Sequence, residues 1–315
     1  MTSNLDWNIQ VKEICLKANR KISVLRSVKL LSRQTLDILY KLTVRSVLDY
    51  ALPVYYKSLK QTEYARLENI QYRAAKIVTG ALHLTNREKL NNELGWESIL
   101  ERGNFLSVNI FHKIHLYETR PLIRKCMPKA NLQNNLNLRN KQGYVPFPYK
   151  GDKFNSSFFP NTTKIWNQLP KNIQCQNIEE FKKSTKTMFK PQKYKHFSRG
   201  SKLGNTLLTR IRVGRSDLNQ HKFIIGLVEN PECMCHFRSE SPEHFFLDCF
   251  LYLPERQILF GLIEHYVPFF PKLTKKEKLE MILKGVYIND DTFLTTNTII
   301  IKATQNFILS TKRFE

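Results

Sequence analysis

The stretch Cys233-Met234-Cys235-His236-Phe237-Arg238-Ser239-Glu240-Ser241-Pro242-Glu243-His244-Phe245-Phe246-Leu247-Asp248-Cys249 gathers half of the chain's six cysteines into one short segment. Three thiols and an imidazole, in the order Cys-x-Cys, His, Cys, supply the soft and borderline donors that a tetrahedral zinc ion takes. Cys233, Cys235, His244 and Cys249 are therefore the candidate metal ligands. The alternative is a group of small buried hydrophobes, a common use of free cysteine. Four protein ligands leave no position for water or substrate, so the ion would hold structure and not perform hydrolysis. Pro242 suits a turn, and residues 243–249 read as helical. His244 and Cys249 are five positions apart, so that helix has to loosen near Cys249 for both to reach one ion. His236 would have to fold back on Cys235, and Asp248 reads as an acceptor behind the ligands or a solvated group.

Outward from this segment the periodicity is helical. Trp7, Val11, Ile14, Cys15, Ala18, Ile22 and Leu25 recur at spacings of three and four, predicting a helix over 5–30. A second follows the cap residue Ser32, with Leu36, Tyr40, Val44 and Leu48 inward, until Pro53 stops it. A third starts near Thr62 and ends at Gly80, a residue suited to a left-handed cap. Ser98 and Glu101 form a capping-box pattern ahead of Phe105, Val108 and Phe111. After Cys249, Ile258 to Ile263 and Leu279 to Leu283 suggest two helices, and Thr298 to Ser310 a third. Between 125 and 163 the asparagine run and Gly143, Pro146, Pro148 and Gly151 break the period, and loop with a few extended segments is expected. The reading is a mainly α chain in three sections. Residues 1–120 form a helical bundle, 121–200 a basic Asn/Lys/Pro-rich connection, and 201–315 a helical domain stabilised by the metal.

The net charge of +23 is unevenly placed: about +8 over 1–120, +16 over 121–220 and −1 over 221–315. Like charges repel in a compact state, and a polyanion that releases counterions on binding is the usual partner of such a surplus. RNA or DNA is the expected partner. The candidate phosphate contacts are Lys182, Lys183, Lys186, Lys190, Lys193, Lys195, Arg199, Arg210, Arg212 and Arg215, interleaved with Phe181, Phe189, Tyr194 and Phe197, which can stack on unpaired bases. The plainer reading is a solvated helix face over Ile178–Phe189 with core aromatics. No apolar run of membrane-spanning length and no secretory signal is visible, which predicts an intracellular protein, nuclear or cytoplasmic, without a membrane partner. In a reducing compartment these cysteines suit a metal better than disulfides.

No catalytic set is apparent: there is no phosphate-cradling glycine loop and no nucleophile elbow. Tyr287-Ile288-Asn289-Asp290-Asp291 is one residue too long for an aromatic-x-Asp-Asp metal hairpin and lacks a third carboxylate. It reads as a turn with a solvated acidic pair. No small-molecule substrate is implied.

Several blocks in series carry a resemblance. They begin with Leu5-Asp6-Trp7 and Ala18-Asn19-Arg20-Lys21, followed by Leu67-x-x-Ile70-Gln71-x-x-Ala74-Ala75-x-Ile77-x-x-Gly80. Leu94-Gly95-Trp96 with Ser98-Ile99 and Arg102, then Trp166-Asn167-x-Leu169-Pro170, come next. The last are Arg212-x-Gly214, Leu218-Asn219-x-His221 and the Cys233, Cys235, His244, Cys249 set with Tyr252 and Arg256. In this order they resemble the region after the polymerase core of non-LTR (LINE-type, jockey-like) retrotransposon reverse transcriptases, over nearly the whole chain. His236 departs from it, since many relatives have Gly after the second Cys. The resemblance implies that 1–120 is similar to the helical thumb and its extension, which grips template and primer. It also implies that the later part, with a CCHC zinc segment, helps hold element RNA or target DNA. The family's catalytic aspartates belong to the palm, expected ahead of Met1, so no polymerase activity is expected of this chain alone. The competing expectation is a zinc-stabilised module for protein interaction.

Overall fold

The computed structural model describes residues 7–117, 121–129, 143–287 and 290–315. They are mainly α-helical, with no β-strand among the described residues. The helices of eight residues or more are α1 (Asn8–Ser27), α2 (Arg33–Tyr40), α3 (Gln61–Thr79), α4 (Arg87–Leu94), α5 (Ile99–Leu116), α6 (Phe158–Gln168), α7 (Ile178–Phe189), α8 (Lys202–Arg212), α9 (Leu253–Tyr266), α10 (Lys275–Lys284) and α11 (Leu294–Ser310).

Several boundaries follow local chemistry. The Ser32 hydroxyl accepts the Thr35 amide at the start of α2. Gly80 ends α3 at φ 68°, a left-handed conformation that suits glycine, and a Cβ there would fall 2.6 Å from Thr206. Ser98 and Glu101 close a complete capping box on α5, as Thr274 and Glu277 do on α10. The second helix ends sooner than its apolar pattern suggests. It passes into a π-helical turn at Lys41–Arg45 and a last short turn at Ser46–Asp49, and Pro53 sits in the first turn of Leu52–Tyr55. Part of the stretch expected as loop is helical, because Pro160 lies within the first turn of α6, where its missing N–H costs nothing.

The chain divides into two compact units that interleave in sequence. One comprises residues 1–22, 41–71 and 96–192, and the other 23–40, 72–95 and 193–315. These units do not follow the sequential sections at 120 and 200: residues 1–120 contribute to both units, and so does 121–200.

In the first unit α5 packs against α7, α6 and the short helix Leu52–Tyr55. Its core holds Val108, Phe111, Trp166, Leu169 and Phe181, with the His112 ring stacked on Phe181 at 3.8 Å. Gly103 lets α5 come close to Tyr56, since a Cβ there would lie 2.3 Å from the Tyr56 ring. A buried polar network sits beside this core. Arg45 pairs with Glu97 at 2.6 Å and donates to Gln71, whose amide donates to the Glu97 carbonyl at 2.7 Å. Arg102 reaches Glu97 at 3.3 Å and Asp49 at 2.6 Å.

In the second unit α11 is the central element, packed by α8, α9 and α10 around Ile263, Phe270, Ile282, Ile301 and Phe307. Arg33 and Arg212 both pair with Glu93, at 2.7 and 2.5 Å, with all three side chains 4% exposed. The last carbonyls of α3 receive Lys202 at Val78 and Arg210 at Gly80, cations placed where the helix dipole favours them.

Glu97 gives a pH test. Burial opposes its ionisation, but Arg45 and Lys190 outweigh burial and hold its pKa at about 2, below the ordinary 4.5. Its contribution is therefore fully present above pH 4.5 and disappears as pH falls toward 2, a loss of about 3 kcal/mol. Urea denaturation across that window should show a shallower loss for Glu97→Gln, which starts weaker at pH 7.

Candidate metal centre

The first two sulfurs are brought round by a tight turn. The His236 amide donates to the Cys233 carbonyl and the Cys233 amide to the Phe237 carbonyl, each at 2.9 Å. His236 takes φ 65° in this turn, the left-handed region in which glycine is at ease, and its side chain is exposed. The turn is fastened from behind by Glu240, whose carboxylate is fully buried. It accepts Arg313 at 2.6 Å and the Asn219 amide at 2.7 Å, while the Glu240 amide donates to Pro231.

The other two donors come from a single irregular turn. Ser241 accepts the His244 amide, and the chain enters a π-helical turn at His244–Asp248. There the Cys249 amide donates to the His244 carbonyl at 2.8 Å, an i to i+5 bond. The loosening that five-residue spacing demands is thus built into the backbone, and His244 and Cys249 share one side. Phe245 and Phe246, between them, are fully buried and pack on Phe307 of α11.

Cys233, Cys235, His244 and Cys249 converge with all four donor atoms within 4.8 Å of one another. The Cys233 and Cys249 sulfurs are 3.8 Å apart, and the Cys235 sulfur lies 3.1 Å from His244 Nε2. Burial pushes the Cys233 thiol up to about 12, raises that of Cys249, and holds His244 below the usual histidine range. A neutral imidazole is the ligating form, and a bound cation would reverse the balance at sulfur by favouring thiolate. The donors, convergence and seclusion of the group are compatible with a metal site.

Two residues support the cluster: Phe237, which carried no signal in the sequence, and Arg256, which the sequence offered only as part of the block resembling a CCHC segment. The Phe237 ring stacks on His244 at 4.3 Å and 6°, which orients an imidazole whose Nδ1 has no hydrogen-bond partner. Arg256, 6% exposed, donates to the carbonyls of Leu247 and Cys249 and sets a positive charge behind the sulfurs. Asp248 stays at the surface, paired with Lys275 at 2.7 Å.

The ten basic candidates do not form one class. Lys182, Lys183, Lys186 and Arg199 are exposed. Lys193 is paired with Asp37 and Lys195 with Asp291, both at 2.5 Å. Lys190 is half-buried, and burial, opposed by Glu97, brings its pKa down to about 8. Arg215 is half-buried. Arg212 is removed from the candidates because its guanidinium is enclosed on Glu93. Arg210 is committed to Gly80 and Asp217. The aromatic expectation also needs correcting: Phe181 is core, and Phe197 is buried beneath Arg212, 3.9 Å from its ring centre. Lys182 to Lys190 belong to the first unit and Lys193 to Arg215 to the second. Ile288 and Asn289 of the acidic turn lie outside the described residues; Asp290 accepts the Thr292 amide.

Among the described residues no helix is long and apolar enough to cross a membrane. Compared with models of protein families, with curated proteins and with solved structures, the chain matches none.

The turn geometry predicts that His236→Gly stabilises the folded chain by about 1 kcal/mol, because the left-handed backbone cost disappears and no buried contact is lost. A higher urea midpoint with unchanged metal content is the expected result.

Proposed function

We propose that this chain binds nucleic acid without catalysing a reaction, and that its metal site is a structural zinc centre supporting the second unit. The observation that carries the binding role is the placement of the surplus charge. Lys182, Lys183 and Lys186 stand exposed on α7 while Phe181 and Thr185 face the core, and none of the three is in an ion pair among the described residues. Exposed lysines held on a helix can neutralise phosphates and release counterions, whatever the base sequence.

Zinc is supported by the donor set and its spacing. With Zn–S bonds of about 2.3 Å, a tetrahedron places sulfurs about 3.8 Å apart, the separation of Cys233 and Cys249. The Cys235–His244 contact would open from 3.1 Å to about 3.6 Å on the same geometry. When bound, zinc would cross-link the turn at Cys233 to the π-helical turn and supply no open coordination position. Three thiolates and a dication leave one net negative charge, which Arg256 faces. The likeness to the region after the catalytic core of non-LTR reverse transcriptases agrees with both halves of the proposal. On that reading the nucleic acid is template and primer, or target DNA, handled by a chain that makes no bonds itself.

Two measurements test it. Purified protein should carry one zinc per chain, and a strong chelator should cost the second unit its cooperative unfolding; zinc-free protein indifferent to chelator would refute the centre. Charge reversal of Lys182, Lys183 and Lys186 together should lower affinity for RNA or duplex DNA. It should also flatten the slope of log affinity against log salt by roughly 2 to 3. Unchanged slope, or protein partners retained against excess RNA, would favour the protein-interaction alternative.

A further inference from the structure

Three cations that form no ion pair among the described residues gather on the second unit: Lys76 on α3, Lys89 on α4 and Arg215 in the turn after α8. On one side they are positioned by Tyr72. Lys76 Nζ lies over its ring, 4.7 Å from the centroid, and Arg87 lies over the same ring at 5.6 Å. The Tyr72 hydroxyl is fixed by donating to the Thr85 carbonyl at 2.8 Å, so the ring holds an ammonium group in place without neutralising it. Arg87 has a further partner and is not counted in the site. On the other side the turn at Gly214 does the positioning. It closes α8 at φ 74°, the Gly214 amide donating to Ile211 and the Arg215 amide to Arg210, at 3.0 and 2.8 Å. A Cβ on Gly214 would meet Lys89 Nζ at 3.5 Å, so that ammonium group lies over the backbone next to Arg215.

Arg33, Arg210, Arg212 and Arg313 of this unit each hold a carboxylate. Arg215 does not. It is half-buried, its Nε is enclosed without an acceptor, and no hydrogen bond or ion pair engages its guanidinium. A guanidinium drawn partly out of water without a counter-charge is costly, and an anion from outside the chain would relieve that cost. The same positive field reaches the neighbouring groups. Burial chiefly, and then Lys89 and Arg215, hold His221 below the usual histidine range, while Arg87 and Arg215 oppose the rise that burial imposes on the Tyr72 phenol. Nearby acidic groups do not cancel it: Glu88 stands about 100° round the helix from Lys89, and Asp217 is paired with Arg210 at 3.3 Å. We propose that Lys76, Lys89 and Arg215 form a phosphate site on the second unit, which holds the backbone of an RNA or DNA strand separately from the lysines of α7. A planar fork and two ammonium groups suit phosphate oxygens and carry no base preference. The inference rests on the nucleic-acid reading above and adds a surface to it; charge counted along the chain does not show that surface, because Lys76 and Lys89 lie outside the most basic stretch.

Two measurements on the full chain test this. In the first, an amine-reactive acetylating reagent is applied with and without saturating RNA or duplex DNA, and the modified lysines are read by mass spectrometry. Bound nucleic acid should protect Lys89 several-fold, also in a chain whose Lys182, Lys183 and Lys186 have been charge-reversed. In the second, Lys89→Gln with Arg215→Gln should lower affinity and flatten the slope of log affinity against log salt by roughly 2. Lys89→Gln alone should flatten it by roughly 1; because Lys89 is exposed, this variant decides the matter even where Arg215→Gln disturbs the turn. An unchanged slope in Lys89→Gln, or a Lys89 modified equally with and without nucleic acid, overturns the proposal. Pyrophosphate protecting Lys89 as strongly as the strand would make this a site for a small phosphate, and protection by an acidic polypeptide but by neither RNA nor DNA would give it to a protein partner; either result overturns it too. A slope that responds to Lys89→Gln and not to the α7 reversal would sink the α7 reading alone, and the opposite pair of results would sink this one alone. The two readings therefore fail separately.

Discussion

Glu93 lies between the guanidinium groups of Arg33 and Arg212, at 2.7 and 2.5 Å, and all three side chains are shut away from solvent. The interior of this protein is organised by that arrangement because acidic groups are scarce, 27 against 50 lysines and arginines. A buried cation left unpaired costs far more than a pair returns, and several interior carboxylates serve more than one donor. Glu97 serves Arg45 and Arg102, and Glu240 serves Arg313 and the Asn219 amide. Thr209 joins the first set by accepting Arg33 and donating to Glu93. These pairs tie residues far apart in sequence and fix which face of α2, α4 and α8 turns inward. Their value is geometric, since apolar residues of equal volume would hold the unit together as well.

The two basic residue types are consequently sorted. The enclosed cations are arginines: Arg33, Arg45, Arg212, Arg256 and Arg313. Lysines that form ion pairs do so near the surface, as Lys195, Lys275 and Lys284 do. A planar guanidinium is weakly hydrated and can engage several acceptors at once, whereas an ammonium group gives up strong hydration when buried. Sorting of this kind reduces the basic stretch from ten candidates to a few exposed side chains. Charge counted along the chain gives the size of the surplus, and the fold decides which of those charges stand open to solvent.

What could be read from the sequence follows the same division between local and distant causes. Ser32, Gly80 and the Ser98–Glu101 pair announce helix ends because their physics is contained in four or five residues. The four metal donors are legible for a similar reason, lying within one short segment whose spacing states its own demand on the backbone. Helix α4 was not legible, although Asn86 caps it and Gly95 ends it in the left-handed conformation. Its inward face carries Asn91 and Glu93 beside Leu90 and Leu94, a poor apolar stripe that makes sense only once Arg33 and Arg212 are in place. Helix α8 is obscured in the sequence because its arginines suit phosphate contact equally well, although Ser201 caps it and Leu207, Leu208 and Ile211 form its buried face. The interleaved division of the chain has no local signal, since it depends on which distant segments pack together.

Around the metal site, departures from regular backbone accumulate over fourteen residues, from His236 to Cys249. His236 accepts a left-handed φ without being glycine, the helix widens by one residue at His244–Asp248, and His244 keeps a buried nitrogen without a partner. Each is unfavourable when considered alone, and each shapes the approach of a donor to one point. The residues next to these departures are strongly anchored: Phe245 and Phe246 in the α11 core, Glu240 on Arg313, and the Cys249 carbonyl on Arg256. Irregular backbone persists where its surroundings leave no alternative, and here the surroundings consist of aromatic packing and two buried arginines. The buried thiols complete the argument. Seclusion pushes Cys233 and Cys249 toward the neutral form, so the cluster gains most from a ligand that brings positive charge and accepts sulfur, and a soft or borderline divalent metal has both properties.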